Sequence, residues 1–116
     1  MRILTKMETL IREKITRRRR QILVHSIIYY TMDDNLISDQ TWAEWAKELC
    51  DLQDKFPEIA DECVYADAFS EFDPSTGYNL PLDDYWGNRK ARQLLNYRDR
   101  MKKENVNEKV TSEDYV

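Results

Sequence analysis

Tyr29, Tyr30, Asp33, Asp39 and Trp42 lie close together in the chain and are the residues best suited to chemistry. Their chemistry is binding. Aromatic faces attract a flat cationic ring through the negative face of the π-system. Carboxylates accept hydrogen bonds from sugar hydroxyls, and amide or basic donors take phosphate. A second group is the basic run Arg17-Arg18-Arg19-Arg20, with Arg12 and Lys14 nearby. On a helix such a run can lie along a phosphate backbone. It can equally be a solvated face, or a dock for acids such as Glu58, Asp61 and Glu62.

Other candidates carry less. His25 has no Ser, Cys or Glu at a spacing that suggests acid–base catalysis, so it reads as structural. Asp67, Asp73, Asp83 and Asp84 lack the alternating ligands and bend glycine of a cation loop, and no metal is expected. Asp83 or Asp84 is better placed to cap a helix beginning near Trp86. Cys50 and Cys63 have no metal-ligand spacing and read as ordinary thiols of a reducing cytoplasm.

A chain of 116 residues makes one domain with a modest core. With 34% charged residues and only 2 Gly, the composition favours helices over a turn-rich β fold. A net charge of −4 excludes a general affinity for nucleic acid across the whole surface. No apolar run reaches the roughly 20 residues of a membrane span, so neither a membrane partner nor a signal peptide is expected.

The expected fold is all-α. A first helix runs from about Ile3 to Met32, with Leu4, Met7, Leu10, Ile11 and Ile15 at helical spacing and Ile22, Leu23, Ile27 and Tyr30 continuing the stripe. Asp33-Asp34-Asn35 makes a corner, because these side chains compete with helical hydrogen bonding. Ser38 or Asp39 caps a second helix running to about Lys55, with Trp42, Trp45, Ala46, Leu49 and Leu52 on one face. So short a connection makes the two a long antiparallel hairpin. Pro57 either opens a short segment to Cys63 or stops the helix before it.

Between Val64 and Asp84 the periodicity disappears. Tyr65, Phe69, Phe72, Tyr78, Leu80 and Leu82 surround the turn Asp73-Pro74-Ser75-Thr76-Gly77, which predicts an ordered aromatic loop with at most a short hairpin. A third, C-terminal helix follows from Trp86 to about Lys103, with Ala91, Leu94, Leu95 and Tyr97/Arg98 on its core side. Residues 1–103 thus form the domain, and the polar stretch 104–116 is expected to be a flexible tail.

The corner also carries a resemblance. Tyr29-Tyr30, Asp33 and Ile37-Ser38-Asp39, with the Lys/Glu-rich helix and the Phe56-Pro57-Glu58-Ile59 stop, resemble the N-terminal helical subdomain of NAD-dependent bacterial DNA ligases. The likeness covers roughly residues 20–60. In those enzymes the subdomain holds the nicotinamide end of NAD, which implies Tyr29, Tyr30, Asp39 and Trp42 as cofactor-binding positions. Trp42 stands where the family has Tyr, and Ala43 where it has Asp, so one carboxylate is missing. The family's Lys-x-Asp-Gly adenylation motif does not occur, so no ligation by this chain is expected. The stretches Phe72-Asp73-Pro74-Ser75-Thr76-Gly77-Tyr78, Leu80-Pro81-Leu82-Asp83-Asp84 and Lys90-Ala91-x-x-Leu94-Leu95 are similar to small phage and prophage proteins described as DNA ligase-like.

The expectation is therefore a non-catalytic, phage- or prophage-type accessory protein in the host cytoplasm, with no resident cofactor. Its ligase-like helical module would bind another host or phage protein. Retained affinity for NAD or nicotinamide mononucleotide at the corner is the first alternative. Binding of DNA through Arg17, Arg18, Arg19 and Arg20 is the second. Self-association through exposed parts of the long first helix is left open.

Overall fold

The computed structural model describes residues 5–103, which form four α-helices and no strand. These are α1 (Lys6–Thr31), α2 (Asp39–Lys55), α3 (Pro57–Glu62) and α4 (Tyr85–Lys103). The all-α expectation is met. Ile3 and Leu4, expected in the first helix, and residues 104–116, expected to be a flexible tail, lie outside the described residues.

Helix α1 starts at Lys6 because Thr5 and Glu8 form a reciprocal capping box, with Glu8 N–H donating to Thr5 Oγ1 at 3.1 Å. It ends at the expected corner, where Asp33 takes a left-handed conformation (φ 50°) and Asp34 N–H returns to the Ile28 carbonyl. Asp tolerates that conformation better than most side chains, which makes it a natural helix stop.

The contacts set the topology. Ser26 meets Trp42, Arg18 meets Glu48 and Arg19 meets Gln53, so α2 runs antiparallel to α1. Arg20 meets Trp86 and Asp34 meets Arg98, so α4 runs parallel to α1 on another flank. Helix α4 is therefore antiparallel to α2, and residues 63–84 cross over from α3 to its start. Pro57 opens α3 at its first turn, where its missing N–H costs nothing.

The first-helix stripe was too narrow an expectation. Residues 21–28 are all buried, Val24 and Ile28 as completely as Ile22, Leu23 and Ile27. The segment is buried all round, its polar Gln21, His25 and Ser26 included, because α2, α4 and the crossover cover it from different sides. Each of these aliphatic side chains contributes roughly 1.5–3 kcal/mol by leaving water. By contrast Met7 and Leu10, also placed on that stripe, are 68% and 56% exposed.

Gly87 lets α4 approach closely. A Cβ there would come within 2.6 Å of Ile27 Cδ1. Asp84 is the cap of α4, accepting from Gly87 N–H at 2.8 Å. The same carboxylate oxygen accepts from Tyr65 Oη at 2.9 Å. Burial, aided by that bond, pushes the Tyr65 hydroxyl up to about 12. The bond ties the first part of the crossover to its last residue, so the intervening chain is a closed loop.

Arg19 anchors where that loop begins. It is 2% exposed, and its Nη1 donates to the carbonyls of Cys63 (3.2 Å) and Val64 (3.0 Å) while Nε donates to Gln53 Oε1 (2.9 Å). Gln53 Nε2 in turn donates to the Phe69 carbonyl, and the guanidinium lies 5.8 Å from the Phe69 ring centroid. Burial lowers its pKa from the ordinary guanidinium value, yet an arginine so placed keeps its charge.

Arg19→Ala should cost about 3 kcal/mol, because it leaves two carbonyls and Gln53 without their donor in a closed core. Urea unfolding monitored by circular dichroism measures this. A loss below about 1 kcal/mol would mean that the loop is anchored elsewhere.

Candidate functional site

A cleft of about 370 Å³ opens at the corner end of the hairpin. Three elements build it. The last turns of α1 supply His25, Ser26, Tyr29 and Tyr30, a spacing that keeps all four on neighbouring positions of one helix face. The α1–α2 connection and the start of α2 supply Asn35, Ser38, Asp39, Trp42 and Ala43. The tip of the crossover loop, Pro74 to Gly77, forms the third wall.

All four residues predicted for cofactor binding, Tyr29, Tyr30, Asp39 and Trp42, therefore line one cleft, and Ala43 lines it with them. Asp33 does not. It is the left-handed corner residue and faces solvent. Of the two proposed α2 caps, Ser38 holds the position, its Oγ accepting from Thr41 N–H at 3.0 Å. Asp39 is thereby the first residue of the helix, where a carboxylate is favoured by the helix dipole.

The aromatic wall is ordered by edge contacts. Tyr29 and Tyr30 meet at 4.9 Å in a T-shape, and Tyr30 meets Tyr78 at 5.5 Å. Tyr29 and Tyr30 keep 55% and 39% of their surface exposed, so they have free area to offer a ligand. Trp42 is held by Nε1 donation to the buried Ser26 Oγ at 3.2 Å and by an edge contact with Phe72. His25 is buried at the inner side of the cleft, its ring 5.6 Å from that of Trp45.

The loop wall docks through residues that the sequence marked only as a turn. Asp73 Oδ1 accepts from the backbone and hydroxyl of Ser75, which folds the turn and lowers the Asp73 pKa. Thr76 Oγ1 bonds to Tyr30 Oη at 3.0 Å and accepts from Tyr78 N–H. Gly77 lies against α1 so closely that a Cβ would be 2.2 Å from Ser26 Oγ and 3.3 Å from Trp42. Ser26, Thr76 and Gly77 are thus working parts of the site that spacing did not reveal, because their partners are far away in sequence.

Among the described residues no Lys or Arg lines the cleft, and Asp39 supplies its acidic side chain. Donors available to an anion are the hydroxyls, the Asn35 amide, the His25 ring and main-chain N–H groups at the start of α2. The arrangement suits a flat, neutral or cationic ring with hydroxyl-bearing substituents.

The basic run does not form one surface. Arg19 is buried in the core, and Arg18 is half-buried, donating to Glu48 and Gln21 and covering the Trp45 ring. Arg20 lies over Trp86, and Arg17 faces solvent. Arg12 pairs with Glu62, one of the acids expected to face this run. Cys50 and Cys63 are both free thiols, and burial raises the Cys50 pKa. Among the described residues no cluster of His, Cys, Asp and Glu could hold a metal, and no helix is long and apolar enough to cross a membrane. No protein-family model, curated protein or solved structure matches the chain.

The corner is braced from outside by α4. Arg98 Nη1 and Nη2 donate to the two oxygens of Asp34 at 2.8 and 2.7 Å, a bidentate pair. The guanidinium, helped by Asn35 N–H, holds the Asp34 carboxyl down at about 2, and the pair raises Arg98 correspondingly. A depressed carboxyl pKa contributes stability above the unfolded value near 4, which is lost as pH falls toward 2. Asp34→Asn should therefore flatten the fall in stability between about pH 4 and pH 2. Acid titrations of melting temperature for both proteins check this, and identical acid limbs would remove the brace from the account.

Proposed function

We propose that this chain is a non-catalytic binding protein whose corner cleft takes a flat aromatic ring carrying ribose hydroxyls. The nicotinamide riboside moiety of NAD or nicotinamide mononucleotide is the ligand that the ligase resemblance implies. The observation that carries this reading is the convergence of Tyr29, Tyr30, Asp39 and Trp42 on one cleft of about 370 Å³. That volume lies in the range of small-molecule sites, roughly 300–1,000 Å³. The aromatic faces suit an oxidised nicotinamide, and Asp39, Asn35 and Thr76 offer partners for sugar hydroxyls.

Ala43 limits affinity, since it puts a methyl group where the ligase pattern has a carboxylate. Isothermal titration with NAD, nicotinamide mononucleotide and AMP should show weak binding of the two nicotinamide ligands and weaker binding of AMP. Ala43→Asp should tighten the nicotinamide ligands about tenfold through a charge-assisted hydrogen bond. Gly77→Ala, which forces the loop wall off Ser26, should weaken them. No heat at millimolar ligand, with either protein, would end the proposal.

A second reading, an accessory protein that docks on another protein, is favoured by the exposed Met7 and Leu10 on the first turns of α1. A phage- or prophage-type role in a host cytoplasm belongs to this reading. Co-purification from host lysate by the wild type, but not by the Met7→Glu/Leu10→Glu double variant, would support it. Equal recovery of the same proteins by both would remove α1 as the docking element.

A further inference from the structure

The chain is acidic, yet α4 is strongly basic. Between Tyr85 and Lys103 there are seven Lys or Arg residues and one acid, Asp99, a local charge of +6 in a chain of net −4. The remainder therefore carries −10. Arg98 is committed to Asp34 and Asp99. Arg89, Lys90, Arg92, Arg100, Lys102 and Lys103 make no ion pair among the described residues.

Aromatic rings are interleaved with these cations. Trp86, Lys90, Gln93, Tyr97 and Arg100 recur at i, i+4, i+7, i+11 and i+14, which places them along one face of the helix. A shallow open groove runs along this face, lined by Lys90, Gln93, Leu94, Asn96, Tyr97 and Arg100. Trp86 and Tyr97 are each 37% exposed, and Tyr85 at the helix start is 76% exposed. Each has a cation against its ring: Arg20 over Trp86 at 5.3 Å, Arg100 over Tyr97 at 5.8 Å and Arg89 over Tyr85 at 5.6 Å. Trp86 and Tyr97 are three helical turns apart, roughly 16 Å along the axis.

We infer that the outer face of α4, extended by Arg20, binds single-stranded nucleic acid, with Lys90, Arg89 and Arg100 on phosphates and Tyr97 and Trp86 stacking bases. Cations alone would suit an acidic peptide equally. A half-exposed ring in the groove, Tyr97, and a second on the same helix face, Trp86, are what bases require and acidic side chains do not. Polar Gln93 and Asn96 between them offer amide groups to base edges. The acidic remainder of the molecule repels a polyanion, so approach is steered onto this one face. The cleft at the corner plays no part, and the two surfaces are separately testable.

Fluorescence anisotropy of the full chain with a labelled oligodeoxythymidylate of ~15 nucleotides tests the inference, using a duplex of the same length as comparison. Engaging about four phosphates predicts that affinity falls roughly fiftyfold between about 50 and 200 mM salt. Tyr97→Ala, at a half-exposed ring, should weaken binding about tenfold. Lys90→Glu should weaken it further and flatten the salt dependence. Lys47→Glu, the same charge change on the exposed side of α2, should leave it within about twofold. Circular dichroism confirms that each variant is folded. Failure of the oligonucleotide to bind at low salt overturns the inference. So does a duplex bound more tightly than the single strand with Tyr97→Ala neutral. Binding of poly-L-glutamate in place of the oligonucleotide overturns it too, by assigning the face to an acidic protein partner.

Discussion

One buried guanidinium organises this molecule. The Arg19 side chain is placed inside the core by the helix that carries it, and a charge there must find acceptors. It finds them in the Cys63 and Val64 carbonyls and in Gln53, which passes the connection on to the Phe69 carbonyl. Helix α1, helix α2 and the start of the crossover loop thereby meet at one group. The loop could run elsewhere only by leaving the cation without those acceptors in an apolar interior. That constraint, more than any propensity of the loop sequence, explains why a long stretch without helix or strand has a defined path.

The path matters because the loop is one wall of the cleft. From the Arg19 anchor it travels to the corner, touches α1 at Gly77 and Tyr30 at Thr76, and returns to the cap of α4. Each contact depends on a small or polar residue in one place: a missing side chain at Gly77, a hydroxyl at Thr76, a carboxylate at Asp84. Opposite this wall, the rigid corner is held by Ser38 capping α2 and by the Asp34–Arg98 pair. The cleft is thus formed between a wall set by helix geometry and a wall set by a few hydrogen bonds.

Much of this was readable in the sequence where the signal is local. The helices and the corner follow from periodicity and from side chains that cap or break helices, which also narrow Pro57 to a start or a stop and the α4 cap to Asp83 or Asp84. Tyr29, Tyr30, Asp39 and Trp42 were singled out by the ligase resemblance, and they meet because a helix end and a helix start close in sequence are close in space. The burial of residues 21–28 on every side was not readable, since one chain segment does not show how many neighbours it will have. The fate of the basic run was hidden for the same reason: four arginines look alike until partners such as Gln53 and Trp86 are known. Ser26, Thr76 and Gly77 contribute through contacts that join distant parts of the chain, and local pattern does not encode those. The basic face of α4 was present in the sequence as plain arithmetic, but its alternation with half-exposed rings required knowing which side of the helix meets the core.

The Tyr65–Asp84 bond has a consequence for how such a molecule can change over generations. It closes the crossover at its base, so the tip can vary while the ends stay fixed relative to α1 and α4. Lengthening a closed loop is thermodynamically mild, about 0.6 kcal/mol per doubling, so insertions at the tip would leave the helical scaffold standing. The core behind the helical wall tolerates little, because residues such as Ser26, Ile27 and Ile28 are buried on every side. Innovation is thereby channelled into a few positions beside Pro74 and Ser75, where a new side chain would alter what the cleft admits without renegotiating the fold.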